Sequence, residues 1–166
     1  MIFAGILPTM KITLILNGRT EEKFLKEAFA YYEARLRHYI PFQCIEIPSP
    51  KALKSLSEEQ VLNKEAELMQ KHLQPGDHLV LLDERGKEYR SVEFAGFLQQ
   101  KMNQGLKNLV FMAGGPYGFS QSILALPHEK CSLSRMTFSH QMVRVFFAEQ
   151  LYRAFTILRN EPYHHE

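Results

Sequence analysis

The groups in this sequence with chemistry to offer are a glycine-rich turn, a charged strand end, a cation on an apolar helix face and a histidine-bearing tail. Gly114-Gly115-Pro116-Tyr117-Gly118 follows an apolar run. Glycines let a backbone pass close to a ligand and leave N–H groups free to point at it. The spacing is not that of a dinucleotide fingerprint, because Pro116 stands where the second glycine belongs and no acid follows about 20 residues on to hold a ribose. A plain strand-to-helix turn and a ligand loop both remain open. In Leu82-Asp83-Glu84-Arg85-Gly86-Lys87 the charges fit a solvated turn, or else Asp83 accepts from neighbouring loop amides. Arg144 sits on an apolar helix face with His140 one turn earlier. A guanidinium there needs a carboxylate, a carbonyl cluster or a phosphate, so a buried ion pair and an RNA or phosphate contact stand level.

Several chemistries find no support. Cys44 and Cys131 are lone thiols with no Cys/His spacing for zinc, and they fit a reducing compartment. The His164-His165 pair lies on a short tail, where exposure is the ordinary state. No metal is expected, and no Ser-His-Asp or Cys-His arrangement stands out. Hydrophobic residues make up 45% and charged residues 23% of 166, an ordinary globular composition of single-domain size. No apolar run approaches the roughly 20 residues that cross a bilayer. The net charge of +2 is too small for wrapping bare nucleic acid by charge alone, so an RNA partner would have to offer shape or meet local basic clusters.

The elements that must position these groups alternate. Lys11–Leu16 is β-prone and ends at Asn17-Gly18. Thr20, with Glu21 and Glu22, reads as the N-cap of a helix through Phe24, Leu25, Ala28, Phe29, Tyr32 and Leu36, which Pro41 closes. Phe42–Ile47 alternates as a strand. Ser57-Glu58-Glu59-Gln60 is a capping box for a helix to about Leu73. His78–Asp83 and Asn108–Ala113 are nearly all apolar, as in strands buried on both faces of a parallel sheet, and a helix over Ser91–Met102 lies between them. Ser120 caps a short helix that ends at Pro127, Lys130–Leu133 is a short strand, and a long helix runs from about His140 to Leu158. From Met142 to Leu158, twelve of seventeen residues are apolar. That helix must be buried on more than one side, by a second copy of the chain or within one monomer. The expected fold is α/β, a mainly parallel sheet flanked by helices, in one domain over residues 10–166. Residues 1–9 read as an N-terminal extension. Ligands of such sheets bind beyond the carboxyl ends of the strands, which here are the loops at 82–86, 113–116 and 133–137.

Taken in order, these residues carry a resemblance. Leu82-Asp83-x-x-Gly86-Lys87, Gly114-Gly-Pro-x-Gly118, Leu133-Ser-x-Met136-Thr137, His140-x-x-x-Arg144, Glu149-Gln150-x-Tyr152-Arg153-Ala154 and Pro162-Tyr163-His164 are similar to the bacterial large-subunit ribosomal RNA methyltransferase H family, a branch of the SPOUT (α/β-knot) methyltransferases. The resemblance implies a C-terminal trefoil knot and a cytoplasmic homodimer. It also implies S-adenosylmethionine as cofactor and methylation of N3 of pseudouridine 1915 in the 23S rRNA of assembled ribosomes. It carries cofactor contacts onto Leu82, Gly114, Leu133, Ser134, Arg135, Met136, Thr137 and Phe138, with backbone rather than side-chain recognition at Arg135. The chemistry then wants alignment and a proton acceptor. Tyr163 and His164 are the candidates, reaching a partner subunit's pocket. Arg144 and Arg153 would hold phosphate or developing charge, and His140 and Glu149 would orient them on the substrate. Two rivals are a flavodoxin-like nucleotide-binding module and a non-catalytic dimeric RNA-binding or ribosome-assembly factor.

Overall fold

The structure is a computed structural model that describes residues 9–49 and 54–165. Residues 1–8 of the expected extension lie outside the described residues. Five strands, β1 (Lys11–Asn17), β2 (Phe42–Ile47), β3 (His78–Glu88), β4 (Asn108–Ala113) and β5 (Glu129–Ser132), form one sheet in the order β2-β1-β4-β3-β5. Every pairing in it is parallel. Five helices alternate with the strands or follow them: α1 (Lys23–Leu36), α2 (Glu58–Gln70), α3 (Ser91–Asn103), α4 (Gln121–Leu124) and α5 (Met142–Leu158).

The strands are apolar on both faces because both faces are covered. Leu14, Leu16, Leu109 and Phe111 join α1, α3 and α5 in one core, with Phe29, Phe94 and Phe147 at its centre. Ile15, Leu79, Leu81, Val110 and Met112 alternate to the opposite face, where Ala66 and Met69 of α2 and Ile123 of α4 cover them. The loops after β1 and β3 therefore leave toward one face, while the β4 turn leaves toward the other. A crevice opens on each side of β4.

Three sequence expectations change. Thr20 does not cap α1: Glu22 is the N-cap, with no side-chain cap. The Thr20 side chain, 5% exposed, is taken instead by Glu46 and Arg144. The third strand does not end at Asp83. Its residues 83–86 arch out, and Leu82 and Lys87 both stand opposite Cys131, so pairing with β5 resumes after the arch. Finally, α5 begins two residues later than expected, at Met142, and packs one side against α1 and α3, with Phe147 4.7 Å from Phe111 and Tyr152 6.0 Å from Tyr32, while Phe146 on its other side stays 42% exposed. Even Thr156, on its polar sector, is fully buried, its hydroxyl donating to the Arg153 carbonyl at 2.7 Å.

The arch needs a glycine. A Cβ at Gly86 would stand 2.7 Å from Cys131 N and from Lys130 C, in backbone that cannot turn aside. Gly86→Ala is expected to lower stability by about 1–3 kcal/mol through overpacking. Gly96→Ala, in the exposed middle of α3 with nothing within 4 Å, is expected to raise it by up to about 1 kcal/mol. Urea unfolding of both variants checks the pair.

Candidate active site

Two clefts flank the β4 turn. The first, about 350 Å³, is lined by Leu82 to Arg85 after β3, by Ala113 to Phe119 after β4, and by Cys131, Leu133, Ser134, Met136, Thr137, Phe138, His140 and Val143. The three strand-end loops expected from sequence meet here. Of the residues assigned to a cofactor, Leu82, Gly114, Leu133, Ser134, Met136, Thr137 and Phe138 all line it. Arg135 does not. Its side chain is turned out to Glu88, with Nε donating to Oε1 at 2.6 Å.

The β4 turn is packed too tightly for side chains. A Cβ at Gly114 would lie 2.6 Å from the Gly118 carbonyl oxygen, and one at Gly115 would lie 2.6 Å from Asn17 Nδ2. The turn therefore offers backbone to the cleft, as a ligand loop does. Asp83 is not a free solvated charge: its Oδ1 accepts from the Arg85 amide at 2.9 Å, and Lys130 lies 3.3 Å from Oδ2. Burial alone would raise its pKa, but the bonds from Arg85 and Lys130 outweigh burial and hold it below the usual range. Thr137 Oγ1 donates to Glu84 Oε2 at 2.7 Å and ties the third loop to the first.

Arg144 is 1% exposed and makes four hydrogen bonds within the chain. Nε donates to the His140 carbonyl (2.9 Å), Nη2 to the Asn17 carbonyl (2.9 Å), and Nη1 to Thr20 Oγ1 (2.9 Å) and Glu46 Oε1 (3.4 Å). Of the two readings left level by the sequence, this is the buried ion pair: the guanidinium has no face turned to a ligand. Burial pulls its pKa down and Glu46 opposes that. His140, held by its carbonyl, lines both clefts.

The second cleft, about 680 Å³, lies on the β1 side of the turn and includes Asn17, Arg19, Lys54, Glu65, Pro116 and Tyr117. Sequence reading missed Glu65. It sits on α2 in the buried stripe Val61, Glu65, Met69 and is 5% exposed. An acid at i+4 and i−4 from buried apolar residues was the available signal. Burial raises the pKa of its carboxyl, opposed by the Asn17 side chain and by His140.

The remaining candidates form a third group. Glu149 Oε1 accepts from Arg153 Nε (3.0 Å), Arg153 Nη2 (2.5 Å) and the Tyr163 hydroxyl (3.2 Å). Arg153 Nη1 reaches His164 Nδ1 at 3.4 Å, and Arg153 lies 4.7 Å over the Tyr163 ring. Burial and bonds to Tyr32 and Glu149 push the Tyr163 phenol far above its ordinary pKa. His164 Nε2 is buried with no partner among the described residues. The tail is not frayed. Asn160 adopts a left-handed φ of 55°, the Glu161 amide turns back to the Thr156 carbonyl at 2.9 Å, and Tyr39 donates to the Glu161 carboxylate. Arg159 covers the Tyr39 ring at 4.4 Å. Within one chain this tail group does not reach either cleft: none of Glu149, Arg153, Tyr163 and His164 lines them.

Comparison with known proteins bears on what such a site does. The family model for predicted SPOUT methyltransferases matches residues 10–164. A Parabacteroides distasonis protein named ribosomal RNA large subunit methyltransferase H is 57% identical over 157 residues, 95% of this chain and all of the relative. Proteins of the same name from Flavobacterium johnsoniae and Porphyromonas gingivalis are 55% and 50% identical, each over 95% of this chain and all of its own length. A crystal structure of a probable methyltransferase from Bordetella pertussis Tohama I shares the fold at a TM-score of 0.53 and 12% identity, over 89% of this chain and 96% of that one.

Two variants check the geometry. Arg144→Met leaves Thr20 and two backbone carbonyls without their donor, and is expected to cost about 1–3 kcal/mol in urea unfolding, with Arg144→Lys recovering only part. Asp83 has a folded-state pKa below its ordinary 3.8, so it stabilises the fold at neutral pH, and that contribution vanishes as pH falls from about 4 through the folded value. Asp83→Asn is expected to lower stability at pH 7 and to flatten the acid limb of the stability curve.

Proposed function

The chain belongs to the SPOUT methyltransferase family, in the branch of the large-subunit ribosomal RNA methyltransferase H proteins, and from that premise we propose that it methylates N3 of pseudouridine 1915 of 23S rRNA in assembled ribosomes. The methyl donor is S-adenosylmethionine, bound in the first cleft. The observation that carries this reading is the convergence of the 82, 114 and 133–138 loops on one cleft whose glycine turn presents backbone. The residues fit that donor. Leu82, Leu133, Phe138 and Val143 give apolar wall for a nucleoside, and the glycine turn gives backbone groups for its polar edges. A cleft of this size is within the ordinary range for such ligands. The trefoil knot belongs to the same proposal and rests on family membership.

Held by the loops at 82, 114 and 133–138, S-adenosylmethionine would supply an activated methyl group for N3, whose proton must then leave. The protein supplies alignment and a place for that proton. Of the tail side chains, Arg153 has no acceptor and the Tyr163 phenol is held protonated, which leaves His164, whose Nδ1 accepts from Arg153 in the free chain and takes the proton once Arg153 turns to the base. We assign the proton to His164. Arg153, fixed by Glu149, stabilises negative charge gathering on the base, and Tyr163, donating to Glu149, holds that carboxylate in place. Arg144 acts by holding His140 and the β1 loop in place, through the bonds described above.

Since the tail does not reach the first cleft of its own chain, a second copy must bring it there. The surface beside that cleft suits an interface: Met136 is 78% exposed, Phe146 42%, and Phe146 stacks 4.9 Å from Phe138. Place of action is the cytoplasm, where ribosomes are. Among the described residues no helix is long and apolar enough to cross a membrane.

The test is transfer of labelled methyl to large subunits lacking the modification, with the label mapped to the nucleotide. His164→Ala is expected to reduce turnover about 100-fold with the affinity for S-adenosylmethionine unchanged. Gly114→Val is expected to abolish cofactor binding. Mixing and reassociating these two inactive variants is expected to restore activity, because one subunit then has an intact cleft facing an intact tail. No recovery would overturn the shared site.

A further inference from the structure

The methyl acceptor needs its own pocket, and the chain builds one. The second cleft meets the first along Pro116, Tyr117 and His140, the wall common to both. A base lying there would adjoin the donor across that wall. Tyr117 is 51% exposed on this ridge and offers a ring to stack on, as aromatic side chains do for splayed-out RNA bases. Arg19 and Lys54 lie on the same cleft and suit the flanking phosphates. The unusual member is Glu65. A buried acid in a pocket otherwise open to RNA would repel its ligand unless the ligand has a hydrogen to give it.

Among pyrimidine nucleosides the shape of that hydrogen bond is informative. In pseudouridine the glycosidic bond is at C5, so the ring carries an N1–H beside the C2 carbonyl. Uridine has its sugar on N1 and lacks that donor. A buried carboxyl oxygen accepts the N1–H that uridine lacks and leaves N3 free. We propose that the second cleft is the base subsite and that Glu65, steadied by Asn17, reads the N1–H of pseudouridine and thereby rejects uridine. This rests on the reading that the target is a pseudouridine in rRNA. Burial raises the pKa of Glu65, opposed by the Asn17 side chain and His140, and desolvation in the pocket strengthens a hydrogen bond to the carboxyl. The closeness of Gly115 is part of the device. A Cβ there would stand 3.3 Å from both Glu65 oxygens and 2.6 Å from the Asn17 amide nitrogen, so the turn that shapes the donor cleft also closes over the acid.

The experiment compares methyl transfer at saturating S-adenosylmethionine to reconstituted large subunits carrying pseudouridine, uridine or N1-methylpseudouridine at the target. For the unaltered enzyme, kcat/KM is expected to fall at least about 100-fold both for uridine and for N1-methylpseudouridine, because each leaves a buried polar group unpaired. Equal rates on pseudouridine and N1-methylpseudouridine would overturn the proposal without any variant having to fold. Glu65→Met is expected to lose the preference, its rate on pseudouridine falling to the uridine level with cofactor affinity unchanged. Glu65→Gln, which still accepts, is expected to keep the preference. Discrimination that survives Glu65→Met in folded protein would also overturn the assignment. Failure of the unaltered enzyme to methylate pseudouridine subunits at all would instead sink the proposed function.

Discussion

One buried cation holds this site together. Arg144 lies at the start of the last helix, and its hydrogen bonds tie that helix to the ends of two strands and to the segments that border the clefts. The Asn17 carbonyl ends β1, Thr20 opens the following segment, Glu46 lies on β2, and His140 precedes α5. Neutral side chains could fill the same volume, but none could satisfy two carbonyls, a hydroxyl and a carboxylate from one point. The desolvation cost of such a charge is large and only complete pairing offsets it. That completeness is what makes the arrangement unique: any drift of the β1 loop or of His140 would leave part of the guanidinium unpaired. Asn17 then passes the order on, its backbone held by Arg144 and its side chain meeting Glu65.

The second organising fact is the direction in which loops leave the sheet. The strand after which the glycine turn comes sits between two strands whose loops leave toward the opposite face. The turn is thus a ridge with a crevice on either side, and its tight packing makes the ridge thin. Donor and acceptor can be held on two sides of one backbone segment and still meet at its edge, where His140 and Tyr117 stand. Arg135 points away from the cleft into an exposed pair with Glu88, while its neighbours Ser134 and Met136 line it.

Local chemistry was legible in the sequence and distant chemistry was not. The bounds of β2 and β4 follow from apolar runs with clear stops, and the Ser57–Gln60 capping box forms as its residue types require. The three loops of the first cleft could be placed because a parallel sheet gathers its strand-end loops on one side. Thr20 misled because its side chain serves equally well as a cap or as a long-range partner, and the partner that won, Arg144, is 124 residues away. The arch in β3 was hidden because pairing resumes beyond it, with a strand not yet reached in reading order. Arg144 could be recognised as exceptional but not assigned, since a guanidinium meets carbonyls and phosphates with the same donors. Glu65 escaped notice among the exposed acids of α2, where only its spacing from Val61 and Met69 sets it apart.

The fold-back after α5 has a consequence in entropy. An unstructured tail that reached across to another molecule would lose roughly 1–2 kcal/mol of backbone freedom for each residue ordered. Here the left-handed Asn160, the amide of Glu161 and the Tyr39–Glu161–Arg159 clasp have already taken that freedom away inside the free chain. Tyr163 and His164 are therefore presented as a rigid edge, and little of the energy of association has to be spent on arranging them.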